Sequence, residues 1–122
     1  MDSRRQLKIS HLLQEVFSQL LITDFRIYLN GAFATLTKVN VTSDLALARF
    51  NISILGKEDK NAVIDSLNEH KYEIRKILGN NMRNDLRKIP ELEFYLDDTL
   101  DYVEKMDELF EKIKEEEKNI NS

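Results

Sequence analysis

The feature that most constrains this chain is a pair of alternating runs set end to end. In "FATLTKVNVT", Phe33, Thr35, Thr37, Val39 and Val41 alternate with Ala34, Leu36, Lys38, Asn40 and Thr42. In "LALARFNISIL", Ala46, Ala48, Phe50, Ile52 and Ile54 share one side. A period of two is the signature of a strand, because successive side chains point to opposite faces. Ser43-Asp44 between the runs reads as a tight hairpin connection. Such a hairpin carries an apolar face that other elements must cover.

The flanking segments supply the cover. In "QLKISHLLQEVFSQLLI", residues 6–22, Ile9, Leu12, Leu13, Val16, Phe17, Leu20 and Leu21 recur at helical spacing, and His11 falls on or beside that apolar face. Asn30-Gly31 then supplies turn chemistry ahead of the first strand. After the hairpin, Val63, Ile64 and Leu67 form a short helical stripe, and Ile74, Ile77, Leu78, Met82 and Leu86 a second one that Pro90 closes. "ELEFYLD" predicts a third strand with Leu92, Phe94 and Leu96 inward. From Thr99, the residues Leu100, Val103, Met106, Phe110 and Ile113 predict a last helix with a narrow apolar seam, and "KEEEKNINS" beyond it a fraying tail. With 122 residues and 42% hydrophobic content there is material for one core. The expected class is therefore α+β: one domain over residues 1–113, three strands covered on one face, the other face carrying Thr, Asn, Arg and Lys, and an acidic tail over 114–122.

Several function classes find no support. There is no cysteine, and His11 and His70 alone cannot build a structural zinc site. The charged start "MDSRRQLKIS" argues against secretion or a membrane span, which leaves the cytoplasm as the expected location. Gly31, Gly56 and Gly79 are too widely spaced for a phosphate-cradling loop. Asp97, Asp98 and Asp101 stand where a strand meets a helix, so they are candidates for Mg²⁺, or more simply for helix capping.

Charge is the more informative signal. The net charge of −4 conceals segregation: residues 1–90 hold 14 basic against 10 acidic side chains, and residues 91–122 hold 4 against 12. Five of the basic residues fall between Arg75 and Lys88. On an unbroken helix with Arg75 at zero, Arg83, Lys76, Arg87 and Asn80 lie at roughly 80°, 100°, 120° and 140°. The apolar residues spread opposite. The outer stripe has no interleaved Glu to pair with, although Asp85 lands on the apolar side, which an unbroken helix does not accommodate. Arg4, Arg5 and Lys8 form a second basic group, and Lys38 and Arg49 add cations on the open sheet face. Dispersed cations with few exposed aromatics suit a phosphate backbone better than splayed bases. A protein-protein adapter working through the acidic last helix is the alternative.

Two stretches carry a resemblance. "TLTKVNVTSDLALARFNISILG" is similar to a V-x-V-S-x-D-L hairpin followed by A-x-V-x-[VI]-S, and "IRKILGNNMRNDLRKIPELEFYLDD" to an I-R-x-x-L-[GA] helix followed by R-x-x-P-E-L-x-F and an Asp. Together they resemble bacterial ribosome-binding factor A, over about residues 4–113. By position, Arg75 and Leu78-Gly79 match the family's helix, Arg87 its Arg ahead of the proline, and Glu91, Leu92 and Phe94 the opening of its third strand. The resemblance implies a type II KH-like domain of order α-β-β-α-α-β with an additional C-terminal helix. It further implies a monomeric ribosome-biogenesis factor, active in cold adaptation, that binds the free or immature 30S subunit through 16S rRNA, with ribosomal proteins as further contacts. Such a factor assists late rRNA processing near the 5′ and decoding regions, catalyses nothing, and uses no cofactor, small-molecule substrate or membrane. Charge pattern and family position together give the expected RNA-binding set: Arg4, Arg5, Lys8, Lys38, Arg49, Lys71, Arg75, Lys76, Arg83, Arg87 and Lys88. One departure stands out: the family's Ala-x-Gly kink falls at His70-Lys71-Tyr72, so contact there passes to the Lys71 and Tyr72 side chains.

Overall fold

The computed structural model describes residues 3–99. Helix α1 spans Arg4–Ile22 and starts at a capping box, in which the Ser3 hydroxyl accepts from the Gln6 amide (3.1 Å) and the Ser3 amide donates to Gln6 Oε1 (2.8 Å). Two amides at the helix start are thereby satisfied. Its buried stripe is Ile9, Leu13, Phe17, Leu20 and Leu21, with Leu12 and Val16 at the margin. His11, expected on or beside the apolar face, is exposed, because it sits one position off the stripe.

A 3-10 turn, Asp24–Tyr28, leads to Asn30 and Gly31, both at positive φ (54° and 83°), which reverse the chain into β1, Phe33–Val41. Strand β2, Leu47–Leu55, pairs antiparallel with β1. The connection differs from the tight Ser43-Asp44 turn expected. It runs over five residues, Thr42 to Ala46, with Leu45 at φ 60°. Asp44 Oδ1 braces it by accepting from Thr42 Oγ1 (2.6 Å) and the Ala46 amide (3.1 Å). The uniform alternation of β1 is also interrupted. A bulge between Leu36 and Lys38 shifts the phase, so the buried residue before it is Leu36 and those after it are Val39 and Val41.

Helices α2, Lys60–Glu69, and α3, Lys71–Asn81, meet at one non-helical residue, His70 (φ −102°, ψ 14°). Strand β3, Glu91–Leu96, lies parallel to β2, giving a mixed sheet of order β1-β2-β3. The helices pack on one face around Phe17, whose ring centre lies 4.7 Å from that of Phe50, 5.1 Å from Phe25 and 5.6 Å from Phe94. This is the order and sheet of a type II KH-like domain. The last helix expected from Thr99 onward lies, from residue 100, outside the described residues, as do Asp101 and the tail 114–122.

The second helical stretch does not run to Pro90. It ends at Asn81, whose Nδ2 donates back to the Ile77 carbonyl (2.8 Å), and residues 83–85 form a turn in which the Asp85 and Leu86 amides both donate to the Met82 carbonyl (2.9 Å each). Asparagine side chains compete with the helical ladder in this way, which favours termination. Met82 is nonetheless fully buried. Its apolar spacing therefore reflects packing of the turn, and Asp85, which fits badly on a continuous helix, is exposed.

Candidate nucleic-acid interface

The termination of α3 breaks up the predicted basic stripe. Lys76 stays on the exposed side of the helix, Arg83 stands exposed on the following turn, and Arg87 and Lys88 stand on the loop before β3. Arg75 turns inward: its Nε (3.1 Å) and Nη2 (2.6 Å) both donate to the Ile89 carbonyl. A guanidinium on one carbonyl fixes the loop to α3, so Arg75 is a positioning residue. Gly79 assists, since a β-carbon there would meet Ile89 Cγ1 at 3.4 Å.

Three chain segments meet at one end of the sheet. Gln6 Nε2 donates to the Val41 carbonyl (3.0 Å), which holds the start of α1 over the end of β1. The Glu91 amide donates to the Ala46 carbonyl (2.8 Å), which holds the start of β3 against the same hairpin loop. Between them opens a groove of about 570 Å³. Its cations are Arg5, Lys8, Arg87 and Lys88; Ile9, Leu12, Leu45, Leu86 and Pro90 supply apolar wall, and Asp44 and Asp85 are its acidic members. Among the described residues none of the four cations is in an ion pair. Four positive against two negative side chains leave the groove positive, and the Thr42 hydroxyl and Ala46 amide hold the Asp44 carboxyl below the usual carboxylate range. Arg5 and Lys8, a second basic group in the sequence, thus line one groove with Arg87 and Lys88. Arg4 is exposed on the first turn of α1 and does not line it.

The open sheet face is less basic than expected. Lys38 is exposed there, but Arg49 is paired with Glu93 (Nε to Oε2, 3.6 Å), and Tyr95 donates its hydroxyl to the same Glu93 oxygen. Opposite charges held that close cancel for a distant phosphate, so Arg49 is a poor candidate contact. Asp97 links the two edge strands, accepting from Thr37 Oγ1 at Oδ2 (2.6 Å) and from the Thr99 amide at Oδ1 (3.0 Å). The bond from the Thr99 amide, two residues on, closes a local Asx-type turn.

A second basic patch surrounds the junction of α2 and α3. His70 stacks on Tyr28 (centres 4.7 Å apart, 29° between planes), and its Nδ1 lies 2.8 Å from the Ser66 carbonyl oxygen. Ser66 Oγ donates to the Tyr28 carbonyl (2.8 Å), and Tyr28 donates its hydroxyl to Glu73 Oε2 (3.1 Å). Burial, aided by Glu73, raises the pKa of that hydroxyl. Lys71, Tyr72 and Lys76 project from this clamped junction.

The profile of the family described as "Ribosome-binding factor A" matches residues 5–110, which takes in both patches. The chain belongs to the ribosome-binding factor A family. Within it, a Ribosome-binding factor A from Cytophaga hutchinsonii is 36% identical over 99% of this chain and 93% of its own. Another, from Chlorobaculum parvum, is 37% identical over 92% of each chain. The crystal structure of ribosome-binding factor A from Thermus thermophilus superposes with a TM-score of 0.59, at 16% identity, over 75% of this chain and 94% of that one, a likeness of fold. His70, Lys71 and Tyr72 form the junction between α2 and α3. Among the described residues no helix is long and apolar enough to cross a membrane.

Proposed function

We propose that this chain is a non-catalytic assembly factor that binds the free or immature small ribosomal subunit. It seats phosphates of 16S rRNA in the groove between α1, the hairpin loop and the loop before β3. The observation that carries this reading is the convergence of Arg5, Lys8, Arg87 and Lys88 on that groove. Cations so placed neutralise a phosphate backbone without reading sequence. The names of its relatives support a ribosomal partner. In this role the factor acts as a cytoplasmic monomer, and it assists late 16S rRNA maturation near the 5′ region by favouring one RNA conformation.

The test is sedimentation of the purified chain with isolated small subunits, large subunits and joined ribosomes. Co-migration with the small subunit, lost in the Lys8→Glu, Arg87→Glu double variant while its thermal unfolding is unchanged, is the expected result. Equal retention of parent and double variant would remove the groove from the interface. Migration with the large subunit alone would overturn the choice of partner.

A further inference from the structure

Tyr72 is the one aromatic residue beside the junction of α2 and α3 that the core does not use. Its side chain is 71% exposed. With Arg75 and Lys76 it borders a shallow depression of about 290 Å³ backed by Ile89. Tyr72, Arg75 and Lys76 stand at i, i+3 and i+4 on α3, the spacing that puts side chains side by side on one helix face. Lys71 Nζ lies 5.5 Å from the Tyr72 ring centre and takes no part in lining the depression.

We infer that this depression receives one unpaired nucleotide, its base stacked on the Tyr72 ring and its phosphate neutralised by Lys76. The inference rests on the reading of the chain as an RNA-binding protein and names what its second patch takes. An exposed aromatic ring stacks on any base, since every base has a π face, and adjacent cations hold the backbone. The volume is at the small end of ligand sites, room for one base. Two neighbours of the ring are already engaged within the fold. Arg75 is held by the Ile89 carbonyl, and Glu73, the neighbouring carboxylate, is turned to the Tyr28 hydroxyl.

The experiment compares the full chain's affinity for a short blunt RNA duplex with that for the same duplex bearing an unpaired 3′ overhang, each across a salt series. The parent is expected to prefer the overhang. Tyr72→Ala should lose that preference, by about five- to a hundredfold, with the salt dependence unchanged, because stacking is lost and no charge is. Tyr72→Phe should keep it. Lys76→Ala should instead lower the salt slope by about 0.7, the value for a single-strand phosphate. Equal affinity of the parent for both probes, or an unaltered preference in Tyr72→Ala, overturns this inference and leaves the groove reading standing. Binding to neither probe overturns both.

Discussion

Replacing Arg75 separates a cation that positions a loop from one that touches RNA. Its guanidinium gives two hydrogen bonds, 2.6 and 3.1 Å, to the carbonyl of Ile89, a residue only 7% exposed. Bonds from a charged donor contribute about 1.5–3 kcal/mol, and stranding a buried acceptor costs about 1–3 kcal/mol. The two bonds share one acceptor and Arg75 is itself half-buried, so the terms overlap, and Arg75→Met should lose about 2 kcal/mol. With a urea dependence of about 1–2 kcal/mol per molar for a domain this size, the unfolding midpoint should fall by about 1–2 M. Arg75→Lys keeps the charge but cannot span the carbonyl with two fixed donors, so it should lose roughly half as much. Both variants should bind RNA more weakly, because Arg87 and Lys88 lose their anchored loop, while Arg75→Lys keeps the parent's salt slope. A parental urea midpoint for Arg75→Met, together with a salt slope lowered by about 0.9, would refute this assignment and return Arg75 to the phosphate contacts.

Phe17→Ala should cost about 3–5 kcal/mol in chemical unfolding, since it empties the centre of a cluster formed with Phe25, Phe50 and Phe94. The Asp97 carboxyl is held below its ordinary pKa, chiefly by the Thr37 hydroxyl and then by Thr99. A depressed folded pKa gives stability that is present above the unfolded value, about 3.9, and is lost as pH falls through the folded one. Thermal unfolding followed from about pH 5 to pH 2 should therefore show a decline that Asp97→Asn flattens, and an identical pH profile would count against the bridge from Asp97 to Thr37.

Much of the fold was legible because it is written in local periodicity. The α1 stripe, the hairpin and β3 with Leu92 and Phe94 inward all appear where the spacing places them. Misreadings arose where an apolar residue serves a non-repetitive backbone. Leu45 lines the groove from a positive-φ loop position, yet in sequence it extends the alternation of β2. Met82 and Leu86 continue the spacing of α3 through a turn, and Thr37 adds a bulge that leaves no compositional trace. Asp85 was the available warning, since a carboxylate on the apolar side contradicts a continuous helix.

The candidate interface was legible in its residue types and illegible in its grouping. Arg5 and Lys8 meet Arg87 and Lys88 through tertiary packing, pinned by two long-range bonds, Gln6 to Val41 and Glu91 to Ala46. Neither bond has a local signature. The sign purity of the Arg-rich stretch was informative about the region and misleading about Arg75, whose side chain folds back onto its own chain.

The salt dependence of association with isolated small subunits tests the central claim most directly, when the parent is compared with the Lys8→Ala, Arg87→Ala double variant. Two phosphate contacts removed from one groove should lower the slope of log affinity against log salt by about 1.4–1.8, at 0.7 to 0.9 per charge. The loss should depart from the sum of the single variants, because neighbours on one ligand are coupled. A slope equal to the parent's, in a double variant that unfolds like the parent, would contradict the account and leave these four cations as a solvated surface.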